Sequence, residues 1–184
     1  MKYAIFLFTC ALAAATARAE TAPEKTIHDF TPGAGPGGWT VEDDGVMGGL
    51  SKGGFAVSED GHGVFSGEVS LENDGGFSSV QCYLEPMDVS AYRSAFLRVN
   101  GDGKRYRLLV EAEPDAWHYY EAEFATSGEW ETVEIPFNAL VPVRRGDRLD
   151  KPNFPGKTLA QVRLMIANGT AESFRLEIDR IWLK

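Results

Sequence analysis

Phe65-Ser-Gly-Glu-Val-Ser-Leu71 is the stretch that decides how this chain folds. Phe65, Gly67, Val69 and Leu71 fall on one side and Ser66, Glu68 and Ser70 on the other. That period of two belongs to a strand with one face in a core and one in water. Working outward, the same alternation sets Tyr106, Leu108 and Val110 against Arg105, Arg107 and Glu111. It sets Tyr120, Ala122 and Phe124 against Tyr119, Glu121 and Glu123, and Val133, Ile135 and Phe137 against Thr132 and Glu134. Further strands are predicted at Ile27–Phe30 as an edge, Gly54–Val57, Phe77–Leu84, Ala95–Asn100, Val162–Ala167 and Ser173–Lys184. In the last of these the apolar phase slips from Phe174, Leu176 and Ile178 to Ile181 and Leu183, which predicts a bulge or burial on both faces. Gly, Asp, Asn and Pro clusters divide the runs, and only short turns near Asp88–Tyr92 and Leu159–Gln161 interrupt them. About ten short strands without an amphipathic helix predict an all-β protein, a two-sheet β-sandwich of jelly-roll type.

The first 19 residues read as an address. Lys2 precedes an apolar run from Tyr3 to Ala17, and Ala17-Arg18-Ala19 has the A-x-A form of a signal-peptidase site. The expected organisation is a signal peptide over 1–19 and a single domain over 20–184, periplasmic or secreted and with no membrane span in the mature chain. Cleavage removes Lys2 and Arg18 and no acidic residue, moving the formal charge from −9 to −11. Such a surface repels nucleic acid and anionic lipid. Only Cys82 remains, inside an apolar alternating stretch, so no internal disulfide forms and a buried, inert thiol is expected.

Sequences with a catalytic look fail on context. Gly49-Leu-Ser-Lys-Gly53 fits G-x-S-x-G, but that elbow needs a strand, a sharp turn and a helix, and here another strand follows. Gly33, Gly35 and Gly38 fit G-x-G-x-x-G with Pro36 inside and no flanking strand or helix. His28, His62 and His118 are scattered, without zinc-ligand spacing. No catalytic residue, cofactor or metal site is assigned; a hydrolase built on clustered carboxylates is the least favoured alternative, and calcium in a sandwich loop is a minor one.

Two groups of residues are candidates for binding. Gly48-Gly49 and Gly75-Gly76 make tight turns that would fix Asp43, Asp44, Asn73 and Asp74, with Ser78 and Ser79 nearby, as an acidic hydrogen-bonding rim. The competing reading has these side chains bonding their own turns. On the wet side of the middle strands, Arg105, Arg107, Trp117, His118, Tyr119 and Arg144 combine aromatic faces with forked donors, which suits a sugar or a protein.

Three signatures carry a family resemblance: Trp39-x-x-Glu-Asp-Asp-Gly-Val-Met-Gly-Gly-x-Ser51, Ser70-Leu-Glu-Asn-Asp-Gly-Gly-Phe-Ser-Ser-Val80 and Gly128-Glu-Trp-x-Thr-Val-x-Ile-Pro-Phe137. In this order and spacing the chain resembles the thirty-kilodalton complex I intermediate-associated protein family over roughly Ile27 to Trp182. The resemblance implies a galactose-binding-like β-sandwich and a chaperone role in assembling respiratory complex I. The leader sets this chain apart from a matrix or cytoplasmic assembly site. The expected function is therefore non-enzymatic: binding or assembly assistance to a protein partner in the cell envelope, with a carbohydrate-binding module as the alternative and no nucleic-acid partner.

Overall fold

The computed structural model describes residues 24–184, so the expected signal peptide lies outside the described residues. Among them, thirteen strands form two antiparallel sheets, and the protein is a β-sandwich as its alternation predicts. One sheet contains β3 (Lys52–Val57), β4 (Gly63–Val69), β13 (Glu172–Leu183), β6 (Ser94–Gly101) and β9 (Trp130–Pro136) in that order, with β1 (Lys25–Asp29) on the far half of β13. The other runs β11 (Asp147–Arg148), β10 (Val141–Arg144), β8 (Tyr119–Ala125), β7 (Arg105–Glu111), β12 (Thr158–Ile166), β5 (Ser78–Asp88) and β2 (Thr40–Asp43). The inner faces meet through Phe65, Leu97, Val99, Leu176 and Ile178 from the first sheet and Val80, Leu108, Val110, Val162 and Leu164 from the second. Each such side chain, fully buried, stabilises the fold by roughly 1.5–3 kcal/mol.

The phase slip in the last strand is a register shift between Ile178 and Arg180, which lets β13 pair β4 and β1 along one edge while following β6 along the other. Two expectations are corrected. Leu159–Gln161 is no turn but part of β12, with the register shift falling there. Leu71, counted with the inward residues, lies past the end of β4 and is exposed, because the chain leaves the sheet at Ser70 to cross over. Cys82 is buried, and burial raises its thiol pKa.

Both crossovers between the sheets at the β2–β5 edge are tied by one carboxylate. Asp44, 1% exposed, accepts hydrogen bonds from the Ser51 backbone N–H (3.1 Å), the Ser51 hydroxyl (2.5 Å), and the N–H groups of Gly76 (2.7 Å) and Phe77 (3.2 Å). The first pair lies on the β2–β3 connection and the second on the β4–β5 connection. Gly49 and Gly75 line the carboxylate so closely that a Cβ at either would run into it. Ser51 also accepts from Ser70 N–H at 3.0 Å, which stitches the loops a second time. Its hydroxyl is thereby committed to structure, with no histidine among its partners. Burial alone would raise the Asp44 pKa, but the bonds from Ser51, Gly76 and Phe77 outweigh it and hold the group below its ordinary value.

Asp44→Asn keeps the shape and turns an amide N–H₂ toward donors, so it is expected to cost about 3 kcal/mol, read as a lowered urea midpoint at pH 7. Because the folded pKa is depressed, this stabilisation is complete above the unfolded value of about 3.9 and is lost as pH falls below it. The gap between wild type and variant should therefore shrink in acid; a gap independent of pH down to about 2 would contradict the assignment.

Candidate functional site

The outward residues of the seven-stranded sheet line up in rows across the strands, because antiparallel register sets same-face side chains side by side. The first row runs Tyr83, Gln161, Glu111, Tyr119 and Val143. The second runs Thr40, Gln81, Arg163, Leu109, Glu121 and Val141, and the third Glu42, Ser79, Met165, Arg107 and Glu123. From the β5 column to the β8 column is three strand spacings, roughly 14 Å.

Arg163 is the hub of this face. Although it points away from the core it is 4% exposed. It donates to Glu42 Oε2 at 2.9 Å, to the Tyr119 hydroxyl at 3.0 Å, to Ser79 Oγ at 3.4 Å and to Gln81 Oε1. A guanidinium only donates, so the Tyr119 hydroxyl accepts from it and sends its own proton to Glu111. Burial, and then the Glu111 carboxyl, push the Tyr119 pKa up to about 12 while Arg163 pulls against them. The Tyr119 ring also lies under the Arg163 guanidinium, 4.8 Å from centroid to carbon.

Beside the hub the row is left short of partners. Gln161, fully buried, gives its amide N–H to Gln81 Oε1 at 3.4 Å, leaving its own Oε1 without a donor. Glu111, 4% exposed and directly opposite Gln161, has a bond from Tyr119 but none to Oε2. Arg163 Nε and Arg107 Nε are also unpartnered. Burial raises the Glu111 pKa, and the Tyr119 bond and the Arg163 charge only partly offset it. Two acceptors and two donors thus stand unsatisfied on one sheet face. Tyr83, 61% exposed, stands at the β5 end of the first row, and Trp117, 50% exposed, lies in the β7–β8 connection.

The residues expected from sequence divide into two places. Asp43, Asp44 and Ser78 belong to the crossover: Asp43 accepts from Gly53 N–H at 2.9 Å and from Ser78 Oγ at 2.6 Å. Asn73 and Asp74 stand exposed on the same loop with positive φ of 56° and 58°. Ser79 joins the two places, since its hydroxyl donates to the Glu42 carbonyl at 2.8 Å and accepts from Arg163. Arg105, Arg107 and Tyr119 share the seven-stranded face. Arg107 pairs with Glu121 at 3.2 Å and donates to the Ala167 carbonyl at 3.0 Å, while Arg105 pairs with Glu123 at 3.4 Å. Trp117 and Arg144 are not part of that face: Trp117 lies in the loop before β8, with the Arg144 guanidinium 5.2 Å from the ring centre, and Arg144 follows the outward Val143 and so points to the other side of the sheet. Sequence reasoning missed Arg163, Gln161, Gln81, Glu42, Glu111 and Tyr83 as binding residues. The available signal was a charged and an amide side chain at alternate positions of the apolar strand Leu159-Ala-Gln-Val-Arg-Leu-Met-Ile166.

Residues 28–178 match the family described as Complex I intermediate-associated protein 30. No curated protein sequence matches the chain. Among solved structures, the fold is similar to the family 11 carbohydrate-binding module of a cellulosomal cellulase of Clostridium thermocellum, at 17% identity and a TM-score of 0.63 over 89% of this chain and 95% of that one. It is similar at 17% identity and a TM-score of 0.62 to the family 11 module from the same organism in complex with a β-1,3-1,4-mixed-linked tetrasaccharide, over 87% of this chain and 94% of that one. A variant of the family 29 module CBM29-2 matches at 14% identity and a TM-score of 0.54, over 89% and 92%. At these identities the likeness establishes the fold.

The hub predicts an asymmetry. The Glu42 side chain is 41% exposed and that of Arg163 is 5% exposed, so water can take over the carboxylate but not the guanidinium. Glu42→Ala, which strands the buried cation, is expected to cost about 3 kcal/mol. Arg163→Met, which keeps the aliphatic stem, should cost less, about 1–2 kcal/mol. Chemical denaturation of both variants checks the order, and a larger loss in Arg163→Met would reverse the account.

Proposed function

We propose that this chain, which belongs to the Complex I intermediate-associated protein 30 family, is a non-catalytic binding module. Its seven-stranded face takes a hydroxyl-rich ligand, an oligosaccharide lying across the strands. The observation that carries this reading is the pair of buried, unpartnered acceptors on neighbouring strands, Glu111 Oε2 and Gln161 Oε1, beside the exposed ring of Tyr83. Unsatisfied buried acceptors cost about 1–3 kcal/mol each, and a ligand that brings donors relieves that cost. Sugar hydroxyls donate and accept, and so match the mixture of free acceptors and free guanidinium N–H groups on this face. The exposed aromatic ring supplies an apolar surface for a sugar face. The likeness to carbohydrate-binding modules supports the same reading through shared architecture. With residues 1–19 read as an export leader and 20–184 as one domain, the ligand is met outside the cytoplasm.

Family membership favours a second reading, an assembly-assisting chaperone whose partner is a protein in the envelope. A photoreactive residue placed at Tyr83 in cells separates the two: a discrete protein adduct belongs to the second reading and its absence to the first.

For the oligosaccharide reading, calorimetry with neutral and acidic oligosaccharides should show saturable binding to wild type, weakened at least about tenfold by Tyr83→Ala and by Glu111→Gln. Glu111→Gln should at the same time raise the melting temperature at pH 7. The raised pKa means that the charged carboxylate opposes folding above its folded value, so the gain should fade as pH approaches the unfolded value of about 4.3. Binding that ignores both substitutions, or no binding to any oligosaccharide, defeats the reading.

A further inference from the structure

We infer that the free edge of the six-stranded sheet, strand β9, takes up an extended segment of a protein partner, bearing lysine or arginine, as an added strand. The inference stands apart from the oligosaccharide reading, which uses the outer face of the other sheet. β9 (Trp130–Pro136) is last in the order β3-β4-β13-β6-β9 and among the described residues pairs with β6 alone. Its register runs from Ser94↔Pro136 to Asn100↔Trp130 without a shift, so no bulge twists this edge away. Other edges are shorter or already tied. β11 has two residues and β2 four, and in β3 the Asp43 carboxylate takes the Gly53 N–H.

Which backbone groups of β9 are free follows from the ladder. Along an antiparallel pair, residues that bond one another alternate with residues that turn both groups away. Ser94 exchanges both of its bonds with Lys184, donating its N–H at 2.8 Å and accepting at 3.0 Å, so it has none for its partner Pro136. One step along, the Phe137 N–H reaches the Arg93 carbonyl at 2.8 Å. The bonded positions of β9 are therefore Glu131, Val133 and Ile135, while Trp130, Thr132 and Glu134 turn their N–H and C=O groups to the open side. Arg98 donates to the Trp130 carbonyl at 3.2 Å, and among the described residues nothing takes the backbone groups of Thr132 and Glu134. Both residues are exposed. Their N–H and C=O groups form a template for one more strand.

Charge selects the occupant. Residues 125–140 hold Glu129, Glu131 and Glu134 and no lysine, arginine or histidine. A second copy laid on the same edge would bring three carboxylates from each chain to one seam, and like charges across a ladder destabilise it. A segment with lysine or arginine at alternate positions turns that repulsion into attraction, and valine or isoleucine between them suits a strand. Pro136 has no N–H, so the ladder closes there. At that end Glu134 and Pro136 stand with Tyr92, Phe154 and Pro155 around an open groove of about 490 Å³, which gives the incoming chain an apolar seat beyond the last backbone bond. Strand addition combines affinity from the backbone with selectivity from such side-chain seats.

The test titrates the mature chain in low salt with blocked octapeptides. One alternates lysine and valine, one alternates glutamate and valine, and the third is the lysine–valine peptide methylated at every backbone nitrogen, which keeps the charge but cannot pair. The first should bind at least about tenfold tighter than either of the others. On binding, hydrogen exchange at the Thr132 and Glu134 amides should slow at least about tenfold, while the ladder amides of Val133 and Ile135 stay as they were. Thr132→Pro removes a free N–H and no bond to β6, and should weaken binding about tenfold. Because proline can disturb the strand, E129Q/E134Q is the second variant: it should shrink the preference for lysine over glutamate, with an unchanged melting temperature as the control for folding. Equal binding of the methylated peptide, or binding without added protection at Thr132 and Glu134, reduces the effect to surface charge and overturns the inference. Glutamate–valine binding as tightly as lysine–valine, or binding of neither, overturns it as well. A dimer whose formation protects those two amides makes a second copy the occupant and overturns it too. The oligosaccharide reading survives each of these results, since its residues lie on the other sheet.

Discussion

The buried carboxylate of Asp44 is the constraint on which the arrangement of this sandwich depends. A β-sandwich has to carry its chain from one sheet to the other, and a crossover exposes backbone donors that no ladder satisfies. Here the β2–β3 and β4–β5 connections leave the two sheets at the same edge, and their free N–H groups converge on one side chain. The charge that would be expensive to bury alone is offset by the donors that would be expensive to leave alone. Asp43 repeats the device one residue earlier, across to Gly53 and Ser78. Through the next residue, Glu42, the clamp reaches the outer face, because Glu42 holds Arg163 with its carboxylate and Ser79 with its carbonyl. Loop closure and the polar floor of the candidate site are therefore one connected network.

Much of this was legible in the alternation. Phe65–Val69, Arg105–Val110 and Tyr119–Phe124 each put the expected residues inward, because a strand has only two faces and the core claims the apolar one. The slip in Ser173–Lys184 was equally readable, since a bulge is the direct way to reverse the phase of a continuous strand. What periodicity does not encode is which loops meet. The Asp43–Asp44 and Asn73–Asp74 loops were readable as tight turns. That one carboxylate of the first would bond the backbone of the second depended on both crossovers lying at the same edge, a fact of topology. Arg163 and Gln161 were hidden for a related reason. A strand central in its sheet looks apolar on both sides, and two polar residues within it become meaningful only when their neighbours across β5 and β7 are known to be Gln81 and Glu111. Leu159–Gln161 misled because the register shift there breaks the local pattern without ending the strand.

The two outer faces of the sandwich show why one is a candidate site and the other is not. On the six-stranded sheet the large side chains engage one another and, although Arg180 Nε lacks a partner there too, no buried carboxylate or amide oxygen of that face does among the described residues. Phe96 and Trp182 stack at 5.4 Å, and the Arg98 guanidinium lies over Trp130 while it donates to the Trp130 carbonyl. Arg180 covers Trp182 and bonds Glu24 and Thr26. On the seven-stranded sheet the hub Arg163 is equally well used, yet the residues beside it are not. A face that were merely structural would gain stability by replacing Glu111 with an uncharged residue, since its burial opposes the charged form and nothing nearby fully compensates. Retaining such a group opposite the unpartnered oxygen of Gln161 makes sense where something else completes the pair.

Electrostatics sharpens the contrast further. An acidic chain repels anions at long range, and at physiological ionic strength that repulsion is screened beyond about 8 Å. Within that distance only local charges count, and along the seven-stranded face these are Arg105, Arg107 and Arg163, each paired with a glutamate. Net charge therefore argues against extended polyanions such as nucleic acid, which must meet many surface charges at once, and has little force against a neutral ligand.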